Sequence, residues 1–167
     1  MTFSSVLTYI LFLIIIAITL FNLYATITAK KRKQISSQSF QVKCKEIEDE
    51  LLKIQKQNKL DFSYIKRMAN DQDEVIILVK DLKNKVAAIA MKDDIKTFFF
   101  SSFRGANCFY EKSNKKILSA KVEVTINDDI FTYNFGTKPF RQNGIIGKVI
   151  IETCEEFVKA LNDINEP

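Results

Sequence analysis

Two pairs of adjacent acids, Asp93-Asp94 and Asp128-Asp129, are the first residues of this 167-residue chain whose types could do chemistry. Converging carboxylates can divide acid and base roles or hold a divalent cation. Neighbours on a strand point to opposite faces, however, so acid pairs beside turns end strands in water. The run NGIIGK, Asn143 to Lys148, combines glycine, lysine and a helix start as phosphate loops do. It lacks the P-loop spacing and the Ser/Thr after the lysine, and reads as a helix entrance. Ser101, Ser102 and Arg104 near Cys108 put nucleophiles beside a cation, but no base is identified to activate them. Phe98, Phe99 and Phe100 with Phe103 and Phe109 could stack bases, yet strand aromatics ordinarily build a core.

Histidine is absent, which removes the commonest general base, the usual zinc-ligand sets and every Ser-His or Cys-His nucleophile. The three cysteines, Cys44, Cys108 and Cys154, are odd in number and form no C-x-x-C pair, as suits a reducing compartment. The expectation is therefore no catalytic residue, no cofactor, no metal and no enzyme.

These residues must be positioned by elements whose order begins with a greasy segment. No charge occurs between Met1 and Ala29, and Val6 to Ile27 reads VLTYILFLIIIAITLFNLYATI. As a helix it would be about 33 Å long, enough to span a hydrocarbon core of about 30 Å. A cleaved signal peptide would place its charge before a shorter apolar run; here Lys30, Lys31, Arg32 and Lys33 follow the run. Basic residues beside a span stay on the cytoplasmic side, so the remainder of the chain is expected inside the cell.

The net charge of +5 follows the same logic. Residues 30–33 contribute +4 and residues 34–60 contribute +1, while residues 61–167 hold 16 basic and 16 acidic side chains. A nucleic-acid reader needs a basic face; this excess hugs the bilayer, where each cation gains about 1 kcal/mol near anionic lipid. Lys30, Lys31, Arg32 and Lys33 are thus expected to contact the membrane surface, and nucleic acid is not an expected partner. Lys112, Lys115 and Lys116 read as a solvated hairpin turn. Lysine outnumbers arginine 21 to 4 beside 22 isoleucines, as in an AT-rich bacterial or phage genome.

After QISSQSFQ, Phe40, Cys44, Ile47, Leu51 and Ile54 recur at spacings of 4, 3, 4 and 3, a helical stripe. It could pack on its own domain or serve as a self-association seam in a homodimer, although it covers only about two heptads.

From Asp73 the period becomes two. DEVIILVK and KVAAIAM flank the turn DLKN, then IKTFFFSSF, NCFYEK, KVEVTIND and IFTYNF follow. Val122, Val124 and Ile126 face one side, with Lys121, Glu123 and Thr125 on the other. A closing helix carries Ile146, Ile150, Cys154, Phe157, Leu161 and Ile164 as its buried stripe. The fold class expected is α+β: an N-terminal transmembrane helix (1–29), a basic juxtamembrane segment with an amphipathic helix (30–60), and a small antiparallel barrel or sandwich (61–167) of six to seven strands capped by a C-terminal helix.

The order of DEVIILVKDLKNKVAAIAM, IKTFFFSSF, NCFYEK, KVEVTIND and ETCEEFVKALNDI resembles that of bacterial pleckstrin-homology-like domains across roughly residues 73–164. The resemblance implies a helix-capped barrel without shared catalytic residues, in the manner of tethered binding modules. This sequence departs in having a neutral barrel with no basic headgroup pocket in view. The function expected is a single-pass inner-membrane protein whose cytoplasmic domain binds a protein partner as adaptor or scaffold. The alternative is a self-associating envelope or phage membrane factor in which the barrel is accessory.

Overall fold

The computed structural model describes residues 18–19, 37–114 and 116–164. The chain divides into two compact units, Met1–Gln41 and Val42–Pro167. Of the apolar segment only Ile18 and Thr19 are described, both helical; the rest of the expected span, with Lys30, Lys31, Arg32 and Lys33, lies outside the described residues. Among the described residues no helix is long and apolar enough to cross a membrane.

The second unit is α+β, with two antiparallel sheets and a C-terminal helix. Helix α1 (residues 37–58) enters it at Val42. Strands β1 (Tyr64–Ala69), β2 (Val75–Asp81), β3 (Val86–Met91) and β4 (Asp94–Phe99) form one sheet in sequence order. A 3-10 turn, Phe100–Ser102, leads to β5 (Phe103–Ser113), β6 (Lys116–Ile126) and β7 (Asp129–Gly136), which form the second sheet. Short β8 (Phe140–Arg141) pairs with the start of β6, and α2 (Ile145–Asn162) closes the unit.

Among the described residues eight strands stand where six to seven were expected. β1 escaped the sequence reading because only Met68 of its six residues is fully buried, so YIKRMA has no clean alternation. β8 is two residues long, below any periodic signal. The acid pairs split as strand ends: Asp93 sits in the β3–β4 turn at φ 63° while Asp94 opens β4, and Asp129 opens β7 after an Asn127-Asp128 turn.

The first sheet buries both faces of its central strands β2 and β3, which is why β2 reads as a continuous apolar run. Ile76, Leu78, Ala87 and Ile89 face a core shared with Val122, Val124, Phe135 and the α2 residues Cys154, Phe157 and Leu161. Each fully buried side chain of this kind contributes roughly 1.5–3 kcal/mol, so this shared core carries most of the fold's stability. The other face, with Val75, Ile77, Val79, Ala88 and Ala90, is also buried but lies outside that cluster. It is covered by α1, whose Cys44, Ile47 and Leu51 are 3–5% exposed. The small Ala88 and Ala90 let a helix approach closely. Lys43 Nζ donates to the Asp73 carbonyl at 2.7 Å, and the Arg67 guanidinium donates to the Glu48 carboxylate, tying α1 to β1 and its turn. The helix ends with Lys59 in the left-handed region, and Asp61 N–H donates to the buried Asp81 carboxylate at 2.6 Å. Residues 42–58 belong to the same compact unit as the strands, one of the two roles open to the helical stripe.

The α2 stripe is buried at Ile150, Cys154, Phe157, Leu161 and Ile164, but Ile146 is 69% exposed. Gly147 takes the inward place instead. A Cβ on Gly147 would collide with the Arg141 carbonyl oxygen and the Phe140 ring, so glycine lets the first turn of α2 press directly on β8. That contact rotates Ile145 and Ile146 outward.

Candidate binding surfaces

Among the described residues of the second unit, three concave surfaces of about 560–610 Å³ stand out beside a smaller one, about 140 Å³, between α1 and the β2–β3 end of the first sheet. The first, about 570 Å³, lies between the end of α1 and the β4 edge, with Leu60, Val86, Phe98 and Phe99 beside the amides of Asn58 and Asn84. No ionisable side chain lines it. Strand alternation puts Phe98 into the core and Phe99 on the opposite face, where its ring is 63% exposed at the cleft mouth. A large aromatic beside amides in an uncharged cleft can bury apolar side chains and satisfy peptide groups.

The second, about 560 Å³, lies between β1, β2 and α2 and contains Tyr64, Lys66, Lys80, Glu156 and Asp163. Lys80 is 6% exposed and stands 4.8 Å from the centre of the Tyr64 ring. Burial lowers the Lys80 pKa; Asp163 opposes the shift and Lys66 reinforces it. Lys66 meets Glu156 at 2.9 Å, so the rim is already partly paired.

The third, about 610 Å³, is lined by Lys112, Lys116 and Arg141 with the amides of Asn114, Gln142 and Asn143. Lys116 and Arg141 are direct partners across β6 and β8. Like charges placed opposite each other on paired strands are destabilising. Among the described residues no carboxylate lies within 4.0 Å of Lys112, Lys116, Arg141 or Lys148. The sequence reading missed this cavity because Arg141 is 25 residues from Lys116 and only the β6–β8 pairing joins them. Residues 61–167 are neutral in sum, yet their cations are locally concentrated.

The expected site residues fall as follows. Cys44, Ile47 and Leu51 are consumed within the unit, Ile54 is half-buried, and Phe40 is half-buried in the first unit. The chemistry-bearing groups of the sequence do not converge. Asp93 and Asp128 sit in separate turns, and Ser102 uses its backbone carbonyl to accept from Asn127 N–H at 2.6 Å. Burial raises the Cys108 thiol pKa, partly offset by Tyr110, and pushes Cys154 up to about 12, the opposite of an activated nucleophile. Among the described residues no group of three or more His, Cys, Asp or Glu is placed to hold a metal.

No protein family, curated protein or solved structure matches this chain.

Proposed function

We propose that this protein is a non-catalytic, single-pass inner-membrane adaptor whose cytoplasmic domain has a pleckstrin-homology-like architecture and binds a protein partner. Two features support the reading: a four-stranded antiparallel sheet followed by a second one of β5, β6 and β7 with short β8, before a C-terminal helix, and α1 packed as part of the domain. The tether is Val6 to Ile27, and Lys30, Lys31, Arg32 and Lys33 hold the domain on the cytoplasmic side. The observation that carries partner binding is Phe99, an exposed aromatic at the mouth of a cleft without charge. Interfaces concentrate their energy in a few aromatic anchors seated in such places. The competing reading, self-association through Phe40, Cys44, Ile47, Leu51 and Ile54, is less well supported, because three of those five side chains are already spent on packing.

The test is photocrosslinking from a benzophenone amino acid placed at position 99 of the full chain in native membranes. A discrete adduct from position 99, absent from exposed Lys92 and lost on competition with unmodified chain, is expected. A uniform or empty adduct pattern, with Phe99→Asp retaining every co-purified partner of the parent, would overturn the cleft's role.

A further inference from the structure

The first turn of α2 exposes three aliphatic side chains where a water-facing helix start needs none: Ile145 at 85%, Ile146 at 69% and Val149 at 56%. They are rigidly mounted, because Gly147 presses the turn onto the Arg141 backbone and Gly144 N–H donates to the Arg141 carbonyl at 3.0 Å. Beside them are the cavity cations Lys112, Lys116 and Arg141, and exposed Lys148 lies within the turn itself. The combination is specific: a small apolar tip next to a cluster of cations without ion-pair partners among the described residues. One turn further along, the outer face of α2 becomes acidic at Glu152, Glu155 and Glu156, so only the tip is suited to a negatively charged surface.

We infer that the domain docks on an anionic bilayer surface through this tip, with Ile145, Ile146 and Val149 entering the headgroup boundary and Lys112, Lys116, Arg141 and Lys148 meeting lipid phosphates. Apolar insertion combined with cationic attraction is the physical basis of interfacial binding, each cation adding about 1 kcal/mol near anionic lipid. Charge complementarity selects this occupant over a protein partner, and it explains why Lys116 and Arg141 tolerate facing each other: the repulsion is relieved when phosphate lies between them. The docking goes beyond the tether and cleft reading and does not depend on it, because it concerns residues 112–149 alone.

The experiment uses the full chain with Ile146→Cys carrying an environment-sensitive fluorophore, against the same protein without the added cysteine, in two kinds of vesicle. Equal parts phosphatidylcholine and phosphatidylglycerol should give a blue shift that high salt reverses; phosphatidylcholine alone should give aqueous emission. The triple reversal K112E/K116E/R141E should restore aqueous emission in the anionic vesicles while its thermal midpoint stays close to the parent's, since one facing like-charge pair replaces another. Identical emission in both vesicles, which is also the outcome if the tip serves a protein, overturns the inference. So does a blue shift that survives the triple reversal. Failure of the tether reads out separately, as release of the chain by alkaline carbonate with the lipid-dependent shift intact.

Discussion

Lys116 and Arg141 are register partners across β6 and β8, two cations placed side by side with no carboxylate within 4.0 Å among the described residues. The pairing costs stability, so Lys116→Glu should stabilise the domain by about 0.2–1 kcal/mol, a rise of up to about 4 °C in Tm. The same change should weaken lipid docking. Calorimetry of the full chain in neutral detergent checks the first half, and an unchanged or lower Tm would contradict it. A substitution that raises stability while lowering binding marks a site shaped for a ligand rather than for the fold.

Gly147→Ala would normally help a helix by about 1 kcal/mol. Here the added methyl meets backbone, the Arg141 carbonyl, and cannot be relieved by a rotamer change. A net destabilisation of about 1–3 kcal/mol is expected, measured by denaturant unfolding, because overpacking outweighs propensity. Gain of stability would mean that α2 does not rest on β8 as described.

Asp81 is fully buried and accepts from Asp61 N–H at 2.6 Å, Asn84 N–H at 2.8 Å and the Asn84 side-chain amide at 2.7 Å. Burial alone would raise its pKa, but these donors together with Lys83 N–H outweigh it and hold the carboxyl below its ordinary value. The charged form therefore stabilises the fold above the unfolded-state pKa of about 3.9, and that contribution is lost as pH falls through the lower folded value. Asp81→Ala should cost about 2–5 kcal/mol at neutral pH by stranding buried donors. Asp81→Asn should lower Tm at pH 7, with the gap to the parent closing as pH falls below the unfolded-state carboxyl pKa of about 3.9.

Cys44 tests how α1 is used. Its thiol is 5% exposed, and its pKa is raised first by burial, then by Glu48, with Arg67 opposing. Disulfide-exchange reagents should modify it slowly in the native chain and promptly in denaturant, and mild oxidation should yield no Cys44–Cys44 dimer. Rapid native labelling or efficient dimer capture would show the stripe to be a free seam.

Much of the architecture was legible because burial on one face leaves a period. The alternation of Val122, Val124 and Ile126 places β6, and Ile150 to Ile164 places α2. The stripe in α1 was equally visible, but periodicity cannot name what it packs against; the small side chains of Ala88 and Ala90, on a strand buried on both faces, decide that. Ile146 fits the helical period, and only a close backbone approach at Gly147 displaces it, a three-dimensional event with no periodic signature. The basic cavity was hidden for the same kind of reason, since a two-residue strand brings Arg141 to Lys116. Phe99 was visible as one of three phenylalanines, yet which of them faces outward depends on register.

A reporter active only in the cytoplasm, fused after Pro167 of the full chain and followed through alkaline carbonate extraction, tests the tether and its orientation together. Reporter activity that stays with the membrane pellet is expected. A well-expressed but silent fusion, or activity recovered in the carbonate supernatant, would contradict it.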